Sequence, residues 1–150
     1  MTDANWAGCV IPSDVLYDLE ADVWVRFEGD EATIGMTDIA QTRCGRLVQV
    51  SWKKPGVHIK KGRPLAVIES SKWVGPFESP LSGDIISNND WFEQDVAIAN
   101  RDPYGAGWLV RIKPTNLELE KQTLVDSEVA FAHYKKVIDE NNIRCFRCSQ

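Results

Sequence analysis

Residues 69–83 read ESSKWVGPFESPLSG and set one lysine, Lys72, between a β-rich run and a proline-punctuated return. A primary amine displayed on such a connection is a nucleophile to which an acyl group can be joined in amide linkage. Position alone favours the plainer reading of a solvated turn lysine. The surroundings favour attachment. Gly56 and Gly62 mark tight turns, and an apolar strand ends at Glu69. The lysine follows three residues later, and Ser79-Pro80 and Ser82-Gly83 come after it. Glu69, Ser70 and Ser71 are polar neighbours that an attaching enzyme would read, although each is also an ordinary turn residue. Trp73 and Val74 put a bulky apolar pair beside the amine, which serves equally as hairpin-tip packing or as an apolar surface beside an attached group.

The other chemistry-bearing pattern is the C-x-x-C of Cys145 and Cys148. Zinc would need a second ligand pair, and the histidines are only His58 and His133, so no metal site is expected. As a redox pair, Cys145 and Cys148 lack the strand-to-helix setting that lowers a thiol's pKa, so an independent thiol oxidoreductase is a weaker reading. Together with Cys9 and Cys44 they are too few and too unevenly placed for a disulfide scaffold. Free thiols in a reducing compartment are expected.

Several elements must hold Lys72 in place. VWVRFEGDEATIG alternates apolar and polar residues about Gly29-Asp30 and reads as a β-hairpin, with Val23, Val25 and Phe27 on one face. In TDIAQTRCG, Thr37 is placed to cap a short helix and Gly45 to end it. RLVQVSW resumes a strand, and the glycines and prolines that follow predict short strands joined by tight turns, as in a small sandwich or barrel. LAVIES and GDIIS are the most apolar runs, with Lys72 on the connection between them. WLVRI is a further strand. Residues 126–141 place Ala130, Phe131, Tyr134, Val137 and Ile138 at helical spacing, predicting an amphipathic helix across the sheets. Residues 1–10 and 143–150 read as tails, the latter poorly ordered.

At 150 residues the chain predicts one domain with a core that needs no staples. The net charge of −5 arises from acidic residues spread along the chain, which argues against a nucleic-acid partner. No basic segment precedes an apolar run at the start, and no stretch is long enough to cross a bilayer. A cytoplasmic location is expected.

GVHIKKGRPLAVIESSKWVGPFESPLSGDI resembles the lipoyl-lysine hairpin of glycine-cleavage H proteins, in which Glu-Ser-x-Lys is followed by Ser/Ala-Pro-x-Ser-Gly at the interval found here. IPSDVLYDLEADVWVRFEGDEATIGMTDIAQ upstream and NRDPYGAGWLVRIKP downstream extend the likeness over roughly residues 11–142. The resemblance implies a mainly β domain, a lipoyl/biotinyl-type barrel-sandwich hybrid or flattened β-barrel, with short helices and a C-terminal amphipathic helix. It also implies a non-catalytic carrier with lipoate in amide linkage to Lys72. Biotinyl domains usually flank their lysine with methionine, whereas Ser71 and Trp73 stand here.

In that family the aminomethyl load is met by polar groups whose matching places here are Val23, Ile39 and Pro76. An ammonium beside three apolar side chains costs on the order of a few kcal/mol. These cleft candidates therefore favour an uncharged or sulfur-borne load, with Asp22 a potential substitute for the lost carboxylate. ESSKWVGPF further resembles the H-protein-like lipoate-binding proteins of heterodisulfide-reductase-like sulfur oxidation. That likeness implies three partners: a lipoate-attaching enzyme, the heterodisulfide-reductase-like complex and a dihydrolipoamide dehydrogenase. The alternatives are a true glycine-cleavage H protein and an unlipoylated scaffold.

Overall fold

The computed structural model describes residues 3–147. The chain opens with a small hairpin, β1 (Ala4–Trp6) and β2 (Cys9–Ile11). β3 (Leu16–Asp18), β4 (Val23–Glu28) and β5 (Glu31–Met36) follow, and α1 (Asp38–Cys44) leads to β6 (Leu47–Trp52). Next come β7 (His58–Ile59), β8 (Pro64–Ser70), β9 (Val74–Glu78) and β10 (Gly83–Asn88). A 3₁₀ turn at Asp90–Glu93 and the short α2 (Ile98–Arg101) precede β11 (Val110–Pro114). The short α3 (Leu117–Glu120) and then α4 (Ser127–Asn141) complete the set.

The strands form two antiparallel sheets besides the hairpin. One has six strands in the order β3-β4-β5-β11-β10-β7, and the other has three, β6-β8-β9. Alternation along β4 explains how they pack, because neighbouring side chains in a strand point to opposite faces. Val23 and Val25 turn towards Ile34, Leu47, Ile68, Phe77 and Ile112 in the core shared by the sheets. Trp24 faces the other way, into a second cluster with Ile11, Tyr17, Tyr104, Tyr134 and Ile138, which is roofed by α4 and the N-terminal hairpin.

The expected hairpin, helices and late strand are present. Gly29 and Asp30 join β4 to β5. Thr37 caps α1, its side-chain oxygen accepting from Ala40 N–H at 3.1 Å, and Asp126 caps α4 through Val129 N–H at 3.0 Å. The proline-punctuated return after Lys72 is itself a strand, β9. Pro76 is tolerated because β9 is the outermost strand of its sheet and has an unpaired edge.

Both expected tails are corrected as far as the described residues go. Residues 4–11 form the β1-β2 hairpin, and a disulfide joins Cys9 to Cys145. The expectation of free thiols therefore fails for this pair; the weaker reading of Cys145 and Cys148 as a redox pair falls partly on Cys148, which lies outside the described residues. Cys145 N–H also donates to Ala7 C=O at 3.0 Å. Two residues later, Arg147 reaches the fully buried carboxylate of Asp38 at 3.4 Å. The segment 143–147 is held because a buried charge and an apolar cluster both need it.

Candidate functional site

Lys72 sits at the tip of the β8-β9 hairpin, exposed with its neighbours Ser71 and Trp73. The turn is closed by Ser70 N–H donating to Trp73 C=O at 2.8 Å. Ser70 is buried, and its hydroxyl donates to Cys44 C=O at 2.6 Å and accepts from Lys72 N–H at 3.3 Å. Ser71 N–H donates to Arg46 C=O at 3.1 Å. The tip is thereby tied to the end of α1 and does not project freely.

Directly beneath lies Gly45, with φ +85°. A β-carbon there would stand 2.7 Å from Lys72 Cε, so the lysine stem lies across bare backbone. Buried Asn100, at the end of α2, fixes this junction. Its carbonyl oxygen accepts from Leu47 N–H at 2.9 Å, and its amide donates to Gly45 C=O at 2.9 Å and to Gln41 at 3.1 Å. The buried Ser70 hydroxyl and Asn100 amide are thus both partnered, which holds the hairpin tip and the Lys72 backbone in place.

Beside Lys72 opens a cleft of about 670 Å³. Val23, Met36, Cys44, Ile68, Trp73, Pro76 and Phe77 supply apolar or thiol walls, and Glu20, Asp22, Arg43 and Glu78 supply charge. Of the three expected cleft residues, Val23 and Pro76 line it. Ile39 does not: it is fully buried in the second cluster with Trp24 and Tyr104, because α1 turns Ala40 and Cys44 towards the cleft and Ile39 lies about 100° around the helix from Ala40. Glu69 lies on the exposed face of β8 and is not among the cleft walls.

The charged wall was only partly foreseen. Asp22 occupies a left-handed conformation, φ +57°, and accepts from Tyr134 O–H at 3.1 Å. Burial raises its carboxyl pKa against the opposing pull of that hydrogen bond and of Arg43. Burial likewise pushes the Cys44 thiol up, which keeps it protonated and weakly nucleophilic near neutrality. Asn100, Arg43 and Cys44 were missed as site residues. Asn100 opens the NRDPYGAGW segment and is separated by 28 positions from Lys72, so no local periodicity marks it.

The glycine cleavage H-protein family model matches residues 15–138. Glycine cleavage system H protein 2 of Aquifex aeolicus is 40% identical over 94% of this chain and 88% of its own length. A probable glycine cleavage system H protein 2 of Sulfolobus acidocaldarius is 41% identical over 94% and 96%. The crystal structure of a glycine cleavage system H protein from Mycobacterium marinum superposes with a TM-score of 0.71 at 28% identity, covering 83% of this chain and 98% of that one. With the flattened two-sheet architecture and the anchored hairpin lysine beside its cleft, these likenesses place the chain in the glycine cleavage H-protein family, whose members are carriers bearing lipoate on a lysine.

Proposed function

We propose that this protein is a lipoyl carrier modified at Lys72, and that its load is sulfur moved within a heterodisulfide-reductase-like system. The observation that carries the first part is an exposed amine on an immobilised hairpin tip, its stem laid over Gly45 at the mouth of a cleft. The group fits this setting. Amide formation removes the ammonium charge, and the apolar walls formed by Met36, Ile68, Trp73 and Phe77 suit a hydrocarbon chain. Bound lipoate would supply a dithiolane whose reduced thiolates take up and release sulfur. The chain's own residues hold the base: Ser70 and Asn100 fix the turn, and Trp73 shields one side.

The sulfur load rests on Val23 and Pro76 standing at the cleft where the resemblance places polar groups. Three relatives are differently numbered H proteins of a single Aquifex aeolicus strain, a pattern that fits carriers with divided duties. A lipoate-attaching enzyme, the heterodisulfide-reductase-like complex and dihydrolipoamide dehydrogenase are the partners this reading requires.

One observation favours a second reading, a glycine-cleavage H protein carrying an aminomethyl group. Glu20, Asp22 and Glu78 line the same cleft and outnumber Arg43 once Lys72 is amidated. Offering the lipoylated protein to glycine decarboxylase with glycine separates the two, since robust carbon dioxide release favours the second. Intact mass after incubation with lipoate and a ligase tests the modification itself. The expected result is one lipoyl addition that disappears in Lys72→Ala. No gain, or a gain surviving that substitution, removes the proposal and leaves an unlipoylated scaffold.

A further inference from the structure

The chain has 17 basic and 22 acidic residues. The segment from Lys53 to Arg63 takes five of the basic ones (Lys53, Lys54, Lys60, Lys61 and Arg63) and none of the acidic ones, leaving the remainder at −10. The acidic residues spread along the chain skip this run.

The fold presents this segment from a fixed frame. Between two turns, β7 pairs with β10 and forms the edge of the six-stranded sheet. Gly56 N–H donates to Ile85 C=O at 2.7 Å, Asn88 holds Lys53 C=O at 2.7 Å, and Lys61 N–H donates to Ser82 at 2.9 Å. Lys61 is spent locally, its ammonium 3.6 Å from Asp18. Lys53, Lys54, Lys60 and Arg63 are exposed and make no ion pair among the described residues. Val57, 39% exposed, stands among them. A cationic field of this kind complements an acidic partner surface and steers its approach.

Charges along a sheet edge also discourage edge-to-edge pairing. However, β7 is only two residues long, and four unpaired cations exceed that need.

The patch lies at the opposite end of β8 from Lys72, on the order of 20 Å away at strand rise. The cleft beside Lys72 carries Glu20, Asp22 and Glu78, of which Glu78 extends back to the patch end, opposite Pro64. We propose that the Lys53–Arg63 edge docks an acidic protein surface, anchoring the chain at one end while the Lys72 end stays free. A protein partner is favoured over nucleic acid because closely spaced phosphates would run on against the −10 remainder of the surface. The surface stands independently of what Lys72 carries.

The test titrates the full-length protein with a poly-glutamate peptide and follows backbone amides by NMR at low and physiological salt. Oligo-dT and phosphatidylserine vesicles serve as parallel probes. Shifts should centre on residues 53–63 and shrink with salt. Lys53→Glu/Lys60→Glu should bind about fivefold more weakly, as expected for two exposed charge pairs turned repulsive. The control Lys136→Glu/Arg144→Glu should stay within about twofold of the parent, and circular dichroism checks that both variants are folded. Equal loss in both variants, shifts centred elsewhere, or tighter binding to oligo-dT or vesicles than to poly-glutamate would overturn the proposal.

Discussion

Cys145→Ser cuts the covalent link between the N-terminal hairpin and the segment that follows α4. The two cysteines are 136 residues apart, and the chain-entropy model puts the stabilisation from closing so long a loop at about 5 kcal/mol. That is a ceiling, since loss of a native disulfide typically costs about 2–5 kcal/mol and the unfolded chain keeps some compactness. A second loss adds to it. With residues 143–147 released, Asp38 keeps its hydrogen bonds from Val10 N–H at 2.9 Å and Gln41 at 2.9 Å but loses Arg147, its charged partner in the interior. At roughly 2–4 °C per kcal/mol for a domain of this size, the melting temperature should fall by about 10 °C. Differential scanning calorimetry of the oxidised, reduced and Cys145→Ser proteins measures this. Cys9→Ser should match Cys145→Ser, and the double variant should be no worse than either, because all three lose the same bond. Coincident melts of oxidised and reduced protein, or a non-reducing peptide map lacking the Cys9–Cys145 linkage, would refute the reasoning.

The remaining expectations concern the hairpin base and the cleft. Ser70→Ala leaves the buried Cys44 carbonyl unpaired and should cost about 1–3 kcal/mol in denaturant unfolding while slowing lipoate attachment; full stability would show that the hydroxyl is not needed there. Asn100→Leu abandons Leu47 N–H and Gly45 C=O together, so a loss of about 2–5 kcal/mol is expected, with accelerated hydrogen exchange at residues 45–47 as the local check. Gly45→Ala combines a left-handed backbone with intrusion onto the Lys72 stem, and its signature is impaired modification at preserved secondary structure. For Asp22, burial raises the folded-state pKa above the unfolded value, so folding binds a proton more tightly than unfolding does. The group's contribution is complete below the unfolded carboxyl pKa and fades as pH rises through the folded one. Asp22→Asn should therefore gain stability relative to the parent across that acidic-to-neutral rise, and parallel melting curves against pH would contradict this.

Local chemistry alone determined a good deal of this protein. Alternation about Gly29-Asp30 specified the β4-β5 hairpin, Thr37 and Gly45 bounded α1, the spaced apolar residues of 126–141 specified α4, and Lys72 stood on a connection between apolar strands. These readings succeed because turns, caps and strand alternation depend on residues close in the chain. Only tertiary structure decided the rest. Ile39 was matched to a cleft position by the family resemblance, yet α1 packs it into the second cluster beside Trp24. Asn100 reaches the base of Lys72 across 28 positions through the packing of α2 on α1, and Cys9 meets Cys145 because the N-terminal hairpin and α4 cover the same sheet face. No spacing rule records such pairings, since they arise when apolar surfaces distant in sequence are driven out of water against one another.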